Sequence, residues 1–173
     1  MIIPKYAELE IERRFIVPND ACPDLAGRAF KLITDRYISD SRLRLRAMVP
    51  SDGGPAEFKF CKKYESTSAL ATPIVNIYLD ANEHEILSRL PGKQLRKRRY
   101  RIDHAAKVFA LDVFLDELDG LLICEVEAET VTAIRELQLP SWAAIEVTKD
   151  AFFTGGNLCQ MSAAELNERL SRI

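Results

Sequence analysis

Histidine is nearly missing from this chain, with His84 and His104 alone, and the four cysteines, Cys22, Cys61, Cys124 and Cys159, never form a C-x-x-C pair. Neither a zinc site of ordinary ligand spacing nor a disulfide framework is expected, which leaves reduced thiols. An excess of one charge sign is missing too. With 24 Lys+Arg against 26 Asp+Glu, affinity for a polyanion has to come from local segregation of charge and not from net charge. No run of about 18 apolar residues occurs, and the opening Met-Ile-Ile-Pro-Lys-Tyr has no signal-peptide pattern. A cytoplasmic protein with no membrane partner is expected. Internal repeats and low-complexity stretches are absent, and Gly53-Gly54-Pro55 and Gly155-Gly156-Asn157 read as turns inside a single domain spanning 1–173.

What is present suits a globular fold: 173 residues, 47% of them hydrophobic and 29% charged, can bury roughly two-thirds of the unfolded surface. Period-two patterns predict strands over 7–17, 36–38, 42–49, 56–62, 74–80, 95–102, 107–115, 121–129 and 144–148. Eight or nine strands suffice for a closed or nearly closed antiparallel barrel, an arrangement without exposed edges, in an α+β fold flanked by helices. Helices are predicted over 83–90 after an Asn82/Glu85 capping box and over 163–172 after Ser162/Glu165, with shorter ones at 20–29 and 131–137.

The strands carry their charges in columns. In an extended strand alternate side chains share a face, about 6.5–7 Å apart. Glu8, Glu10, Glu12 and Arg14 therefore form one row, with Leu9, Ile11, Arg13 and Phe15 on the other side. Arg42, Arg44 and Arg46 form a basic row, as do Lys97, Arg99 and Arg101, and Glu125, Glu127 and Glu129 form a second acidic one. Alternation of this kind is also how any half-exposed antiparallel strand looks. The segregation of sign by strand argues against that bland reading, because solvated sheet faces intersperse signs to gain cross-strand pairs. Turned into a barrel, the rows would make acidic and basic walls of a polar interior, suited to a polyanion and a divalent metal. Carboxylates are the hard ligands that Mg²⁺ or Mn²⁺ prefers, and arginine forks and lysines bind phosphate oxygens. Phosphoryl transfer needs mainly positioning and charge neutralisation, so no serine, cysteine or histidine nucleophile is required.

The run Glu10-Ile-Glu12-Arg-Arg14-Phe-Ile-Val resembles the E-x-E-x-K signature of the CYTH superfamily, the triphosphate tunnel metalloenzymes. Tyr37-Ile-Ser, Arg42-Leu-Arg-Leu-Arg46, Lys97-Arg-Arg99-Tyr100, Leu111-Asp112-Val-Phe114, Glu125-Val-Glu127 and Glu146-Val-Thr148-Lys-Asp150 follow in the family's order, from about residue 8 to 160. The resemblance implies an eight-stranded antiparallel tunnel that binds a triphosphate-bearing small molecule with Mg²⁺ or Mn²⁺, in the manner of inorganic triphosphatases, thiamine triphosphatases and class IV adenylate cyclases. It implies Glu10, Glu12, Glu125 and Glu127 as metal ligands, and Glu10, Glu12 and Arg14 as the catalytic signature. Arg42, Arg44, Arg46, Lys59, Lys97 and Arg99 follow as phosphate-binding groups, with Asp112 and Glu146 in support. Sliding the 56–63 strand in steps of two residues would bring Cys61 or Lys63 to the place of Lys59 without changing its face.

Two departures bear on activity. Arg14 replaces the signature lysine, and Thr72-Pro-Ile74-Val-Asn76-Ile-Tyr78 lacks the central Arg-x-Glu-x-Glu pattern. Hydrolysis of a triphosphate, most simply inorganic triphosphate, is the leading expectation. A cyclase and a non-catalytic triphosphate or polyphosphate binder are the alternatives, acting as a monomer or a homodimer. Nucleic acid is not an expected partner, since Phe58, Phe60, Tyr100 and Phe114 read as barrel filling rather than stacking platforms. Trp142 reads as a packing residue, and His84 and His104 as surface positions.

Overall fold

The computed structural model describes residues 4–173; the first three residues, part of the N-terminal segment and of the 1–173 domain read above, lie outside them. Eight strands form a ring: β1 (Glu8–Ile16), β2 (Phe30–Ile38), β3 (Leu43–Pro50), β4 (Glu57–Lys63), β5 (Ala71–Leu79), β6 (Gly92–His104), β7 (Lys107–Phe114) and β8 (Leu122–Glu127). The order around it is β5-β4-β3-β2-β6-β7-β8-β1, every pairing is antiparallel, and β1 closes the barrel by pairing through Glu8–Ile11 with β5 and through Glu12–Ile16 with β8. A two-residue β9 (Ile145–Glu146) lies against the end of β1.

Residues directly opposite in an antiparallel pair share a face. Glu12 opposes Glu127, Arg14 opposes Glu125, Arg99 opposes Asp112, and Asp35 opposes Arg46, which in turn opposes Lys59. These residues line the inside. The outer side of β1, β6, β7 and β8 carries Ile11, Phe15, Tyr100, Ile102, Phe109, Leu111, Cys124 and Val126, a core closed over by Ile134 of α2 (Val131–Arg135) and by Trp142 and Ala143. Phe109 and Trp142 meet edge to face, with ring centroids 5.8 Å apart. At one end the inner rows turn apolar: Ile16, Leu95, Phe114 and Ile123 pack against Phe153, Leu158 of α3 (Gly155–Leu158) and Leu166 of α4 (Ala163–Leu170). The C-terminal segment thus plugs one end of the barrel and leaves the charged rows to the rest of its length.

The helices differ in part from expectation. Ser162 and Glu165 form the expected capping box on α4, but the box before α1 (Ala81–Leu87) is Asp80/Glu83, two residues earlier than read. Residues 20–29 are not helical: a 3-10 turn covers only Asn19–Ala21, Pro23 brings no N–H to a helix, and Gly27 sits at φ 69°. β2 instead starts at Phe30. Its inner row mixes Lys31, Ile33, Asp35 and Tyr37, so no clean polar alternation advertises it.

Gly155 is where the plug meets the barrel. A Cβ there would overlap the Tyr37 hydroxyl, whereas one on Gly156 would meet Tyr37 Cδ1 at an ordinary 3.7 Å. Gly155→Ala should therefore lower stability by about 1–3 kcal/mol, the range for overpacking, while Gly156→Ala should not. Thermal melts of the two variants compare them directly.

Candidate active site

The acidic and basic rows meet inside the ring. Glu10, Glu12 and Glu127 each offer a carboxylate oxygen within 4.8 Å of the others. Glu10 and Glu12 come from β1 and Glu127 from the neighbouring β8, so the trio follows from the Glu12↔Glu127 register. Lys63 reaches it from β4, past the intervening β5: Nζ donates to Glu10 Oε2 and lies 3.5 Å from Glu12 Oε1. Burial pushes the Glu12 carboxyl from 4.5 up to about 7, against the pull of Lys63 and with Glu125 and Glu10 adding to the rise. Glu127 is raised by burial and then by Glu10 and Glu125. For Lys63, burial favours the neutral amine, but Glu12 and Glu10 outweigh it and raise the pKa.

The basic groups are held by carboxylates of their own. Asp35, fully buried, accepts two bonds from Arg46, Nε at 2.6 Å and Nη2 at 2.7 Å, and lies 3.6 Å from Arg44 Nε. Burial alone would raise the Asp35 carboxyl; Arg46 and Arg44 hold it well below the usual range. Asp112, also fully buried, accepts from Lys97 and takes a two-point bond from Arg99, Nε at 2.7 Å and Nη2 at 2.6 Å. Arg99 also donates to Glu125 across the width of β7. Burial works to raise Glu125, yet Arg99 and Lys97 keep it far below the ordinary value. Lys97 is lowered by burial, against Asp112. Buried Arg44 Nε has no hydrogen-bond partner among the described residues.

Of the residues read from sequence, Glu10, Glu12, Glu127, Arg44, Arg46, Lys59, Lys97, Arg99, Asp112 and Glu125 all face the interior. Within it, Glu125 is turned to Arg99 and is not in the trio. Lys59 lies toward the open end with Nζ 4.8 Å from the Tyr78 ring, on the uncharged inner row of β5. Arg14 faces the plug: Nη1 donates to the carbonyl of Phe153 at 2.6 Å and Nη2 to that of Thr148 at 3.2 Å. Two residues stand outside. Arg42 precedes β3 and pairs with Glu65 on the surface, its side chain 52% exposed. Glu146 shares the outer face with Phe15, where Arg13 donates to it at 3.1 and 2.7 Å and Thr148 at 2.8 Å. Asp35 takes no role from the sequence alone, and Lys63 only that of an alternative to Lys59. The alternation of Ile33, Asp35 and Tyr37 is the available signal for Asp35, and the parity that Lys63 shares with Lys59 is the signal for Lys63. A cleft of about 450 Å³ lined by Tyr37, Ser39, Arg42, Gly156 and Gln160 lies beside the plug and contains none of the trio.

A carboxyl raised on folding binds its proton more tightly in the native state. The stability this gives is full below 4.5, its unfolded value, and is lost as pH rises through about 7. In the metal-free protein, Glu12→Gln cannot titrate, so its melting temperature relative to wild type should climb between pH 4.5 and 7 and then level off. A pH-independent difference in paired melts would contradict this environment for Glu12.

No protein-family model matches the chain. It is 30% identical over 156 residues to an inorganic triphosphatase of Acetivibrio thermocellus, spanning 86% of this chain and 92% of that protein. Among solved structures, that of the inorganic triphosphatase NE1496 is 26% identical with a TM-score of 0.57, covering 88% of this chain and 95% of its own. A Bacillus halodurans structure, 16% identical, has the same fold at a TM-score of 0.51, over 86% of this chain and 100% of its own. The chain belongs to the CYTH superfamily, the triphosphate tunnel metalloenzymes. Among the described residues no helix is long and apolar enough to cross a membrane.

Proposed function

We propose that this protein hydrolyses inorganic triphosphate with a divalent metal, inside the barrel. The observation that carries the reading is the convergence in one interior of an acidic trio, Glu10, Glu12 and Glu127, with the Arg44/Arg46 and Lys97/Arg99 pairs. The trio is all hard oxygen donors, which fits Mg²⁺ or Mn²⁺. Bound there, the ion would supply Lewis-acid polarisation of a phosphoryl oxygen.

The chain's own residues do the rest by position and charge. Arg44, Arg46, Lys97 and Arg99 grip the phosphate chain, with Lys59 nearer the open end. Asp35, Asp112 and Glu125 hold those cations in place before the substrate arrives, so little reorganisation is needed as charge develops. Arg14 ties β1 to the plug through the carbonyls of residues 148 and 153 and is a positioning residue. Water attacks a terminal phosphorus in line with the departing diphosphate. The curated relative's activity supports the same substrate class. We place the activity in a single tunnel domain, as a monomer or homodimer, in a reducing cytoplasm that suits four free cysteines.

The neutral inner row of β5 and the engagement of Arg14 with the plug favour one other reading, a triphosphate binder without turnover. A phosphate-release assay over triphosphate, nucleoside triphosphates and thiamine triphosphate, with and without Mg²⁺ or Mn²⁺, separates the two. Hydrolysis predicts metal-dependent release above a Glu10→Ala/Glu12→Ala control. Thermal stabilisation by triphosphate with no release would replace it with the binder, and cyclic AMP from ATP would replace it with a cyclase.

A further inference from the structure

We propose that Lys63 is a tethered cation that occupies the acidic trio when no divalent ion is bound, so that the ion must displace it and thereby frees its ammonium for the triphosphate. The inference rests on the reading of Glu10, Glu12 and Glu127 as the ion's ligands. Four of the interior cations are paired with carboxylates away from the trio. Arg44 and Arg46 are held by Asp35, and Lys97 and Arg99 by Asp112 and Glu125, all carboxylates outside the trio. Among the described residues, Lys63 is the cation in contact with both Glu10 and Glu12. It reaches them past β5, where Lys63 opposes Ile74 and Ile74 opposes Glu8, so the contact spans one strand and is made by a side chain that is not directly paired with either acid.

An ammonium is a compact point charge on a flexible stem, able to substitute for a metal ion without demanding its geometry. It brings a single positive charge to three carboxylates. A divalent ion brings two, and takes carboxylate oxygens as preferred donors. With the trio's oxygens within 4.8 Å of one another, both cations in that space would repel strongly at low local dielectric. Arrival of the ion therefore leaves Lys63 without its carboxylates, on the same inner row as Lys59 and beside Arg44, whose strand position opposes Cys61. Metal and triphosphate then reinforce each other's binding, since each favours the state with Lys63 off the trio.

Calorimetric titration of Mn²⁺ at pH 8, with no triphosphate present, tests this without turnover. Lys63→Gln should bind Mn²⁺ more tightly than wild type, by roughly 5- to 150-fold, the usual span for linked sites, and Lys63→Arg should stay near wild type. Equal or weaker affinity in Lys63→Gln overturns the proposal. Should Lys63→Gln fail to fold, lysine-ammonium NMR on wild type decides. The Lys63 Nζ signal, identified by its loss in Lys63→Arg, is expected to shift on adding Mg²⁺, and an unmoved signal overturns the assignment. Absence of Mn²⁺ binding in wild type and both variants would remove the ligand reading of the trio, and this proposal with it. Normal binding with unchanged Lys63→Gln affinity would sink the Lys63 assignment alone.

Discussion

Asp35→Ala is expected to cost about 3–5 kcal/mol of folding stability, the loss typical of removing one partner from a buried ion pair. The carboxylate has no exposure and is shared by two guanidinium groups whose side chains are 12% and 15% exposed. Arginine cannot shed its proton to escape an apolar setting, so the variant has to leave two charges unpaired, admit water or rearrange β2 and β3. Asp35→Asn keeps the shape and one acceptor and should fall between wild type and alanine. Because Arg46 and Arg44 hold the Asp35 carboxyl well below its unfolded range, its contribution is present at neutral pH. It is lost only as pH falls through the depressed folded value. Urea unfolding at pH 7 measures the cost. A loss below about 1 kcal/mol, the level of a surface pair, would mean that Asp35 does not anchor the two arginines.

The second large effect is on catalysis. Glu10→Ala/Glu12→Ala should lower phosphate release from triphosphate by about a thousandfold or more, since removal of metal-borne charge stabilisation is worth several kcal/mol and each 1.36 kcal/mol is tenfold in rate. Neither side chain belongs to the two apolar cores, so the barrel should persist, as circular dichroism would show. Arg46 and Arg99 keep their aspartate partners in this variant, and triphosphate should still stabilise the protein to heat. A folded variant with activity within tenfold of wild type would remove the trio from the mechanism.

The columns of charge were readable because parity in a strand is strict: once Glu10 faces inward, Glu12 and Arg14 must follow, and the closed ring then collects the rows from every strand. Parity says nothing of depth. Arg14 lies on the same row as Glu10 yet sits at the plugged end, where it bonds carbonyls of a C-terminal segment that no local pattern could have placed there. Glu125 and Glu127 look alike in sequence, but one lies near Arg99 and the other near Glu10, a difference set by strand stagger around the barrel. Stagger also decides that Lys63, and not Lys59, reaches the trio. The loss of β2 before residue 36 has a simpler cause, an inner row in which charged and apolar residues alternate among themselves and hide the period. The family resemblance implies Glu146 as a supporting acid; the two-residue β9 puts it on the outer side with Phe15.

The most direct test of the whole account is a crystal structure with Mn²⁺ and a non-hydrolysable triphosphate analogue, read through the manganese anomalous signal. The expected result is a manganese peak among Glu10, Glu12 and Glu127, with phosphates lying along Arg44, Arg46, Lys97 and Arg99. Manganese or analogue bound only on the outer surface, with the interior ion pairs undisturbed, would contradict it.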